Sequence, residues 1–192
     1  MRYSSYRGYS LTPIWVIMTI SLAVFLAIII NHQVILFLGF QAAGFLERPW
    51  TIVTNLFTHS GLWHLLANML TLYFFGSYLI RLIGTRNFLI IYFLGGILGN
   101  VFFMLLASPF SIAIGASGAI FALGGVLTIL TPRLRVFVFP IPVPLPLWAA
   151  IIGGFLILSF FPGIAWQGHL GGLVFGLMAG LFLRRRIRPS FS

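Results

Sequence analysis

Cysteine, lysine and aspartate are missing from this chain, and Glu47 is its only acidic side chain. Without cysteine there is neither a disulfide framework nor a thiolate metal site. Without aspartate, chemistry built on paired aspartates is excluded. No glutamate lies near a histidine pair, so the His-Glu-x-x-His zinc arrangement is excluded as well, and no metal or cofactor is expected. Charge of any sign is scarce: 6% of the 192 residues are charged and 60% are hydrophobic, with a mean hydropathy of +1.12. That is too apolar for a soluble domain and has the composition of a polytopic membrane protein with a single domain. The net charge of +10 comes from arginine alone. Nucleic-acid binders gather charge on a solvated face, whereas these arginines punctuate hydrophobic runs, so no nucleic-acid partner is expected.

What is present is a series of long apolar runs. Residues 1–11 are polar and read as a short cytoplasmic tail; a first spanning helix follows at about 13–30, with no small-residue cleavage pattern after it. Residues 31–61 are broken by Gly39, Gln41, Gly44 and the Glu47-Arg48-Pro49-Trp50 cluster, too interrupted to span. They read as a long interfacial loop, with Trp50 and Trp63 near the head-group level. Further spans are expected at about 62–80, 88–106, 116–130, 147–161 and 167–183, the fourth ending before Pro132 because proline disfavours helix at the preceding residue. A proline-rich linker occupies 133–146, and residues 184–192 form a basic tail. The expected fold is therefore all-α: one membrane domain over 1–192 with a six-helix core at 12–183.

The arginines test that count. Ten of them lie at the termini and after spans two and four, while Arg48 alone falls on the other side. Such asymmetry is a positive-inside signal, so both termini should be cytoplasmic. The loops at 31–61, 107–115 and 162–166 are then extracytoplasmic.

Strongly polar side chains are few within the spans, and four of them converge in depth. Ser117, flanked by Gly115, Ala116 and Gly118, opens span four; its hydroxyl is uncovered, with Phe121 one turn below and Gly124 and Gly125 beneath that. From Ser117 to Thr131 and from His169 to Leu183 the spacing is the same, which puts both groups roughly 21 Å from the inner surface at ~1.5 Å rise per residue. They share one level, roughly 9 Å below the outer face of a ~30 Å hydrocarbon core. A histidine at that depth should face the bundle interior or a wet cavity. His169 shares its face with Gly172, Gly176 and Gly180, so spans four and six can pack closely and bring His169 to Ser117. A hydroxyl beside an imidazole is an activated nucleophile. With no aspartate and Glu47 on a distant loop, the arrangement must be a dyad, with Phe121 placed to stack on the imidazole. His64 and Asn68 share one face at the start of span two and offer donors for an oxyanion, as does the Ser117 backbone N–H at its helix start. His59 precedes them on the loop, and Asn100 reads as a structural hydrogen-bonding residue. Singly, each of these polar groups has a structural explanation; jointly they point to acyl transfer.

Three segments carry a family resemblance: 57–69, from Phe57 through His59 and His64 to Asn68; Gly115-Ala116-Ser117-Gly118; and Gly168-His169-Leu170-Gly171-Gly172 with Gly176. In order, spacing and helix placement, over about 48–180, they resemble the signatures of the rhomboid intramembrane serine proteases. The resemblance implies a six-helix bundle that cleaves single-span transmembrane proteins near their outer membrane boundary. It implies Ser117 as nucleophile, His169 as general base and acid, and His64 and Asn68 as oxyanion donors. The expected partners are such substrates and membrane lipids; the expected location is a prokaryotic cell membrane with the site on the extracytoplasmic side. Three positions depart from the family pattern: Phe121 stands where tyrosine is common, Ile80 where a glutamate is common near the inner end of span two, and Arg48-Pro49-Trp50 matches the family's Trp-Arg loop motif only loosely. The competing reading from another class is a non-catalytic scaffold or transporter that uses His64, Asn68 and His169 as a polar binding site, although the paired broken helices and internal repeats of transporters are not found.

Overall fold

The computed structural model describes residues 9–138 and 142–187. Most of the polar tail (1–8, with Arg2 and Arg7), the middle of the proline-rich linker (139–141) and the end of the basic tail (188–192, with Arg188) lie outside the described residues.

Helix α1 spans Thr12–Ile30, begun by Pro13, whose fixed φ suits the first helical turn. A folded connection follows: α2 (Gln33–Leu38), β1 (Phe40–Gln41), a 3₁₀ turn at Ala42–Gly44, α3 (Thr51–Thr54) and a second 3₁₀ turn at Asn55–Phe57. The long α4 runs over Leu62–Leu106 but turns at Gly84, where φ of +82° suits glycine alone. Arg81 and Arg86 flank that turn, so the expected second and third spans are the two arms of α4, 62–83 and 85–106. Strand β2 (Ile112–Ala113) precedes α5 (Ser117–Leu130); β3 (Arg135–Val136) and β4 (Leu145–Pro146) bracket the linker; α6 covers Leu147–Ser159 and α7 Trp166–Ile187.

Several boundaries differ from those expected. The connection at 31–61 is not a plain loop: β1 pairs antiparallel with β2, Phe40 opposite Ala113 and Gln41 opposite Ile112, which ties it to the segment before α5. Arg48 donates to the Leu36 carbonyl and Trp50 Nε1 to the Phe37 carbonyl at 3.2 Å, so the apolar pieces there fold onto one another. A second small pair, Arg135 opposite Pro146 and Val136 opposite Leu145, closes the linker. The chain is mostly helical, and these two-residue pairs are the exceptions to an all-α reading among the described residues. Helix α7 continues past residue 183 to Ile187, because hydropathy marks where an apolar environment ends and arginine, a good helix former, extends the helix beyond it. Helix α6 ends at Ser159, short of the expected 161, with Pro162 close behind.

Among the described residues, α1, α4 and α7 are long and apolar enough to cross a membrane, and α5 and α6 are shorter apolar helices. Helix α5 is central, with Ala119, Ala122, Leu123 and Val126 fully buried. Such all-round burial is what an apolar helix without a polar face requires. It packs most closely against α7 and the second arm of α4. The contact is backbone to backbone: a Cβ on Gly172 would collide with the Gly118 carbonyl, and one on Gly176 with that of Ala122. At the top of the same seam, a Cβ on Gly99 of α4 would lie 2.7 Å from the Gly168 carbonyl. The small-residue face of α5 therefore consists of Gly118, Ala122 and Gly125. Gly124 does not join it as expected but turns toward Ile151 of α6 and Phe75 of α4.

Candidate active site

The close seam between α5 and α7 decides the local chemistry. Ser117 is the first residue of α5, and His169 lies in the first turn of α7. With no side chains between the facing glycines, Ser117 Oγ and His169 Nε2 sit 2.7 Å apart, across 52 residues of sequence. His169 is buried, and its Nδ1 has no hydrogen-bond partner among the described residues. The Phe121 ring lies against the imidazole with centroids 4.7 Å apart and planes at 31°, a tilted stack, and Phe155 of α6 meets the other edge of Phe121 at 6.1 Å.

The turn before α5 is held from below. Gly115 has φ of +110°, and its N–H donates to the Asn55 carbonyl at 2.9 Å. A Cβ there would lie 2.7 Å from His64 Nε2, so Gly115 is required both by its backbone and by the imidazole it faces. His64 Nδ1 is 3.3 Å from Ser60 Oγ. Asn68, buried on the same arm of α4, donates from Nδ2 to the His64 carbonyl at 2.8 Å. His59 is fully buried on the connecting loop, edge-on to His64 with ring centroids 5.0 Å apart; Nδ1 is 3.2 Å from the Phe57 carbonyl and Nε2 has no partner among the described residues. Burial, assisted by neighbouring His64 and opposed by the Phe57 carbonyl, pushes the His59 pKa down to about 4.

Asn55 has no counterpart among the residues singled out from sequence. Its side-chain amide and that of Asn100 bond reciprocally, both at 2.9 Å, and Asn100 also donates to the Ile52 carbonyl at 2.8 Å. This buried amide pair fastens the 3₁₀ turn to the second arm of α4, and through its carbonyl Asn55 fastens the Gly115 turn as well. An isolated asparagine outside the spans carries no periodic signal, so only the pairing with Asn100 reveals Asn55.

Ser117 opens onto a cavity of about 760 Å³ between the first arm of α4, α5, α6 and the linker strands. Asn68, Phe74, Phe121, Ile151 and Leu158 line it, and its wall is mostly apolar. Among the described residues there is no cluster of three or more metal-ligating side chains.

Comparison with known proteins places the chain. A family model described as Rhomboid domain matches residues 46–186. The chain belongs to the rhomboid family. Curated rhomboid relatives agree: the chain is 30% identical over 150 residues to Rhomboid protein 1, mitochondrial, of Saccharomyces cerevisiae, covering 73% of this chain and 43% of that protein. It is 29% identical over 163 residues to Rhomboid-like protease 3 of Toxoplasma gondii, covering 82% and 61%. A third, named Inactive RHOMBOID-like protein 8, of Arabidopsis thaliana, is 32% identical over 126 residues, covering 65% and 35%. The chain thus spans less than two thirds of the length of these relatives. A rhomboid chain with three helices of membrane-crossing length and apolarity is an integral membrane protein. The relatives include one named as mitochondrial, so membership does not select a prokaryotic membrane.

Proposed function

We propose that this rhomboid is an intramembrane serine endopeptidase in which Ser117 attacks a peptide carbonyl and His169 handles the protons. The observation that carries the reading is the 2.7 Å approach of Ser117 Oγ to His169 Nε2 beside a cavity that can admit a chain segment. For the hydroxyl to give up its proton, Nε2 must be the acceptor, which puts the imidazole proton on Nδ1. No carboxylate orients that ring; Phe121 does so by contact, which makes the pair a dyad.

In the first step Ser117 Oγ bonds to the carbonyl carbon while His169 takes its proton, and the carbonyl oxygen becomes an oxyanion. Three donors surround the serine. The Ser117 N–H belongs to the first turn of α5, where no intrahelical acceptor exists. Asn68 carries two amide hydrogens, of which one serves the His64 carbonyl and the other is left for the oxyanion. His64 Nε2 faces the Gly115 turn on the serine's side, where a Cβ on Gly115 would meet it at 2.7 Å and Ser117 Oγ at 3.8 Å. His169 then donates its proton to the leaving amine, the acyl-enzyme forms, and water activated by His169 releases the acid.

The topology belongs to the same proposal. Six spans, formed by α1, the two arms of α4, α5, α6 and α7, leave both termini on the arginine-rich, cytoplasmic side and the Ser117 end outside. Its substrates are then single-span membrane proteins, docked laterally in the cavity between α4 and α6 and unwound near the outer boundary, since helical carbonyls are already hydrogen-bonded and shielded. The relative named inactive favours a second reading, a helix-gripping scaffold with the same polar cluster. A fluorophosphonate probe separates them. Labelling of the purified protein that vanishes in Ser117→Ala, together with cleavage of a model single-span substrate by wild type only, is the expected result. A folded wild type that neither labels nor cleaves refutes the enzyme.

A further inference from the structure

At the end of the bundle away from Ser117, a second cavity of about 520 Å³ opens where three helices finish. Tyr78 of α4 and Leu130 of α5 form its apolar wall, the turn Thr131-Pro132-Arg133 its rim, and Arg184 of α7 its opposite side. Two arginines therefore line one cleft. Arginine does not shed its charge in proteins, so two of them in one cleft favour an anion there.

Among the described residues no carboxylate stands at the cleft. The chain's single acidic side chain, Glu47, sits in the connection that β1 and Asn55 tie to the start of α5, whereas the cleft lies at the end of that helix, roughly 20 Å away at ~1.5 Å per residue. Guanidinium forks match phosphate oxygens, and basic pockets between membrane helices are suited to anionic head groups. The surroundings select the kind of phosphate. Tyr78 and Leu134 line both this cleft and the larger apolar cavity, whose near wall is Leu127, Val136 and Phe137. An anion held at the arginines thus has an apolar channel beside it, which suits an acyl chain and offers nothing to a free ion.

We propose that Arg133 and Arg184 hold the phosphodiester of an anionic phospholipid whose acyl chain lies along Leu134 and Tyr78 toward the larger cavity. The site is independent of proteolysis, and binding is its readout. Full-length protein purified in detergent is titrated with dioleoyl phosphatidylglycerol and the retained lipid counted by native mass spectrometry. Parallel titrations use dioleoyl phosphatidylcholine and inorganic phosphate. At ~1 kcal/mol per arginine, Arg133→Gln/Arg184→Gln should weaken retention of one phosphatidylglycerol roughly 30-fold. Arg81→Gln/Arg86→Gln, which removes equal charge beside the Gly84 turn and outside the cleft, should leave that affinity within about twofold. Should the glutamine pair not fold, Arg133→Gln alone, at an exposed position, should cost roughly fivefold. The proposal is overturned if the cleft variants keep the lipid, if the Arg81/Arg86 control loses it equally, or if phosphatidylcholine is held as tightly. Displacement of the lipid by millimolar inorganic phosphate would make the site one for a free anion and overturn the lipid assignment.

Discussion

Gly172→Ala tests whether the distance between serine and histidine is set by bare backbone at the α5–α7 seam. The added Cβ would fall inside the contact radius of the Gly118 carbonyl, whereas real Cβ atoms essentially never approach a heavy atom nearer than 3.0 Å. The two helices must therefore part by about 1 Å at that level. His169 lies one turn from Gly172 on α7 and Ser117 is the neighbour of Gly118, so the displacement is delivered to the 2.7 Å contact itself. It takes that contact to about 3.7 Å, past the reach of a hydrogen bond. A misplacement of about 1 Å at a reacting pair costs on the order of 100-fold in rate, and the overpacking itself costs about 1–3 kcal/mol of stability. Two glycines calibrate the effect. A Cβ on Gly118 would meet the Gly168 carbonyl at 3.3 Å and needs only a small adjustment, so Gly118→Ala should lose less than about tenfold. A Cβ on Gly153 of α6 has nothing within 4 Å, and Gly153→Ala should be indistinguishable from wild type. The rates of fluorophosphonate labelling and of single-span substrate cleavage, measured beside the thermal transition, read the series. If Gly172→Ala labels and cleaves at the wild-type rate while remaining folded, the seam does not set the dyad geometry and the reasoning fails.

Removing the stacked ring in Phe121→Ala should lower kcat about two- to tenfold, the equivalent of the ~0.5–1.5 kcal/mol of a ring contact, while Phe121→Tyr retains activity; equal rates for alanine and phenylalanine would show that the ring does not hold His169. Asn100→Leu leaves both the Asn55 amide and the Ile52 carbonyl buried without a partner, and should destabilise by about 2–4 kcal/mol in thermal unfolding. The double variant Asn55→Leu/Asn100→Leu should be less destabilised than the sum of the two single variants, and strict additivity in that cycle would deny the pairing. His59, whose pKa falls from an ordinary 6.5 to about 4 on folding, binds its proton more readily in the unfolded chain. Its penalty is absent above pH 6.5 and grows as the pH falls toward 4, to at most about 3 kcal/mol, so wild type should lose more thermal stability between pH 7 and 4.5 than His59→Gln does. Parallel pH profiles for the two would contradict that assignment.

The seam also shows where reading the chain in one dimension stops. Hydropathy locates apolar runs, and α1, the two arms of α4, α5, α6 and α7 occupy those runs with shifts of a few residues. It does not see that Arg184 prolongs a helix rather than ending one, because helix propensity and membrane preference are separate properties of arginine. Nor does it see that Phe40–Gln41 forms a strand paired with Ile112–Ala113, since two-residue strands have no period to detect. The small-residue face of α5 expected from spacing holds at Gly125 but not at Gly124, its neighbour, which points to a different helix: adjacent residues on a helix diverge by about 100°.

Membrane character, the family signatures and the residue types available for catalysis are properties of the linear order, because composition and spacing alone express them. With no aspartate and its one glutamate, Glu47, on a loop far along the chain from Ser117 and His169, the order of residues already favours a dyad over a triad. What waited on three dimensions was every relationship between helices. The 2.7 Å approach, the reciprocal Asn55–Asn100 amides and His64 pressed on Gly115 each join residues tens of positions apart. Such contacts depend on how closely two backbones can approach, and glycine, which contributes no side chain, sets that distance only when the facing residue is known.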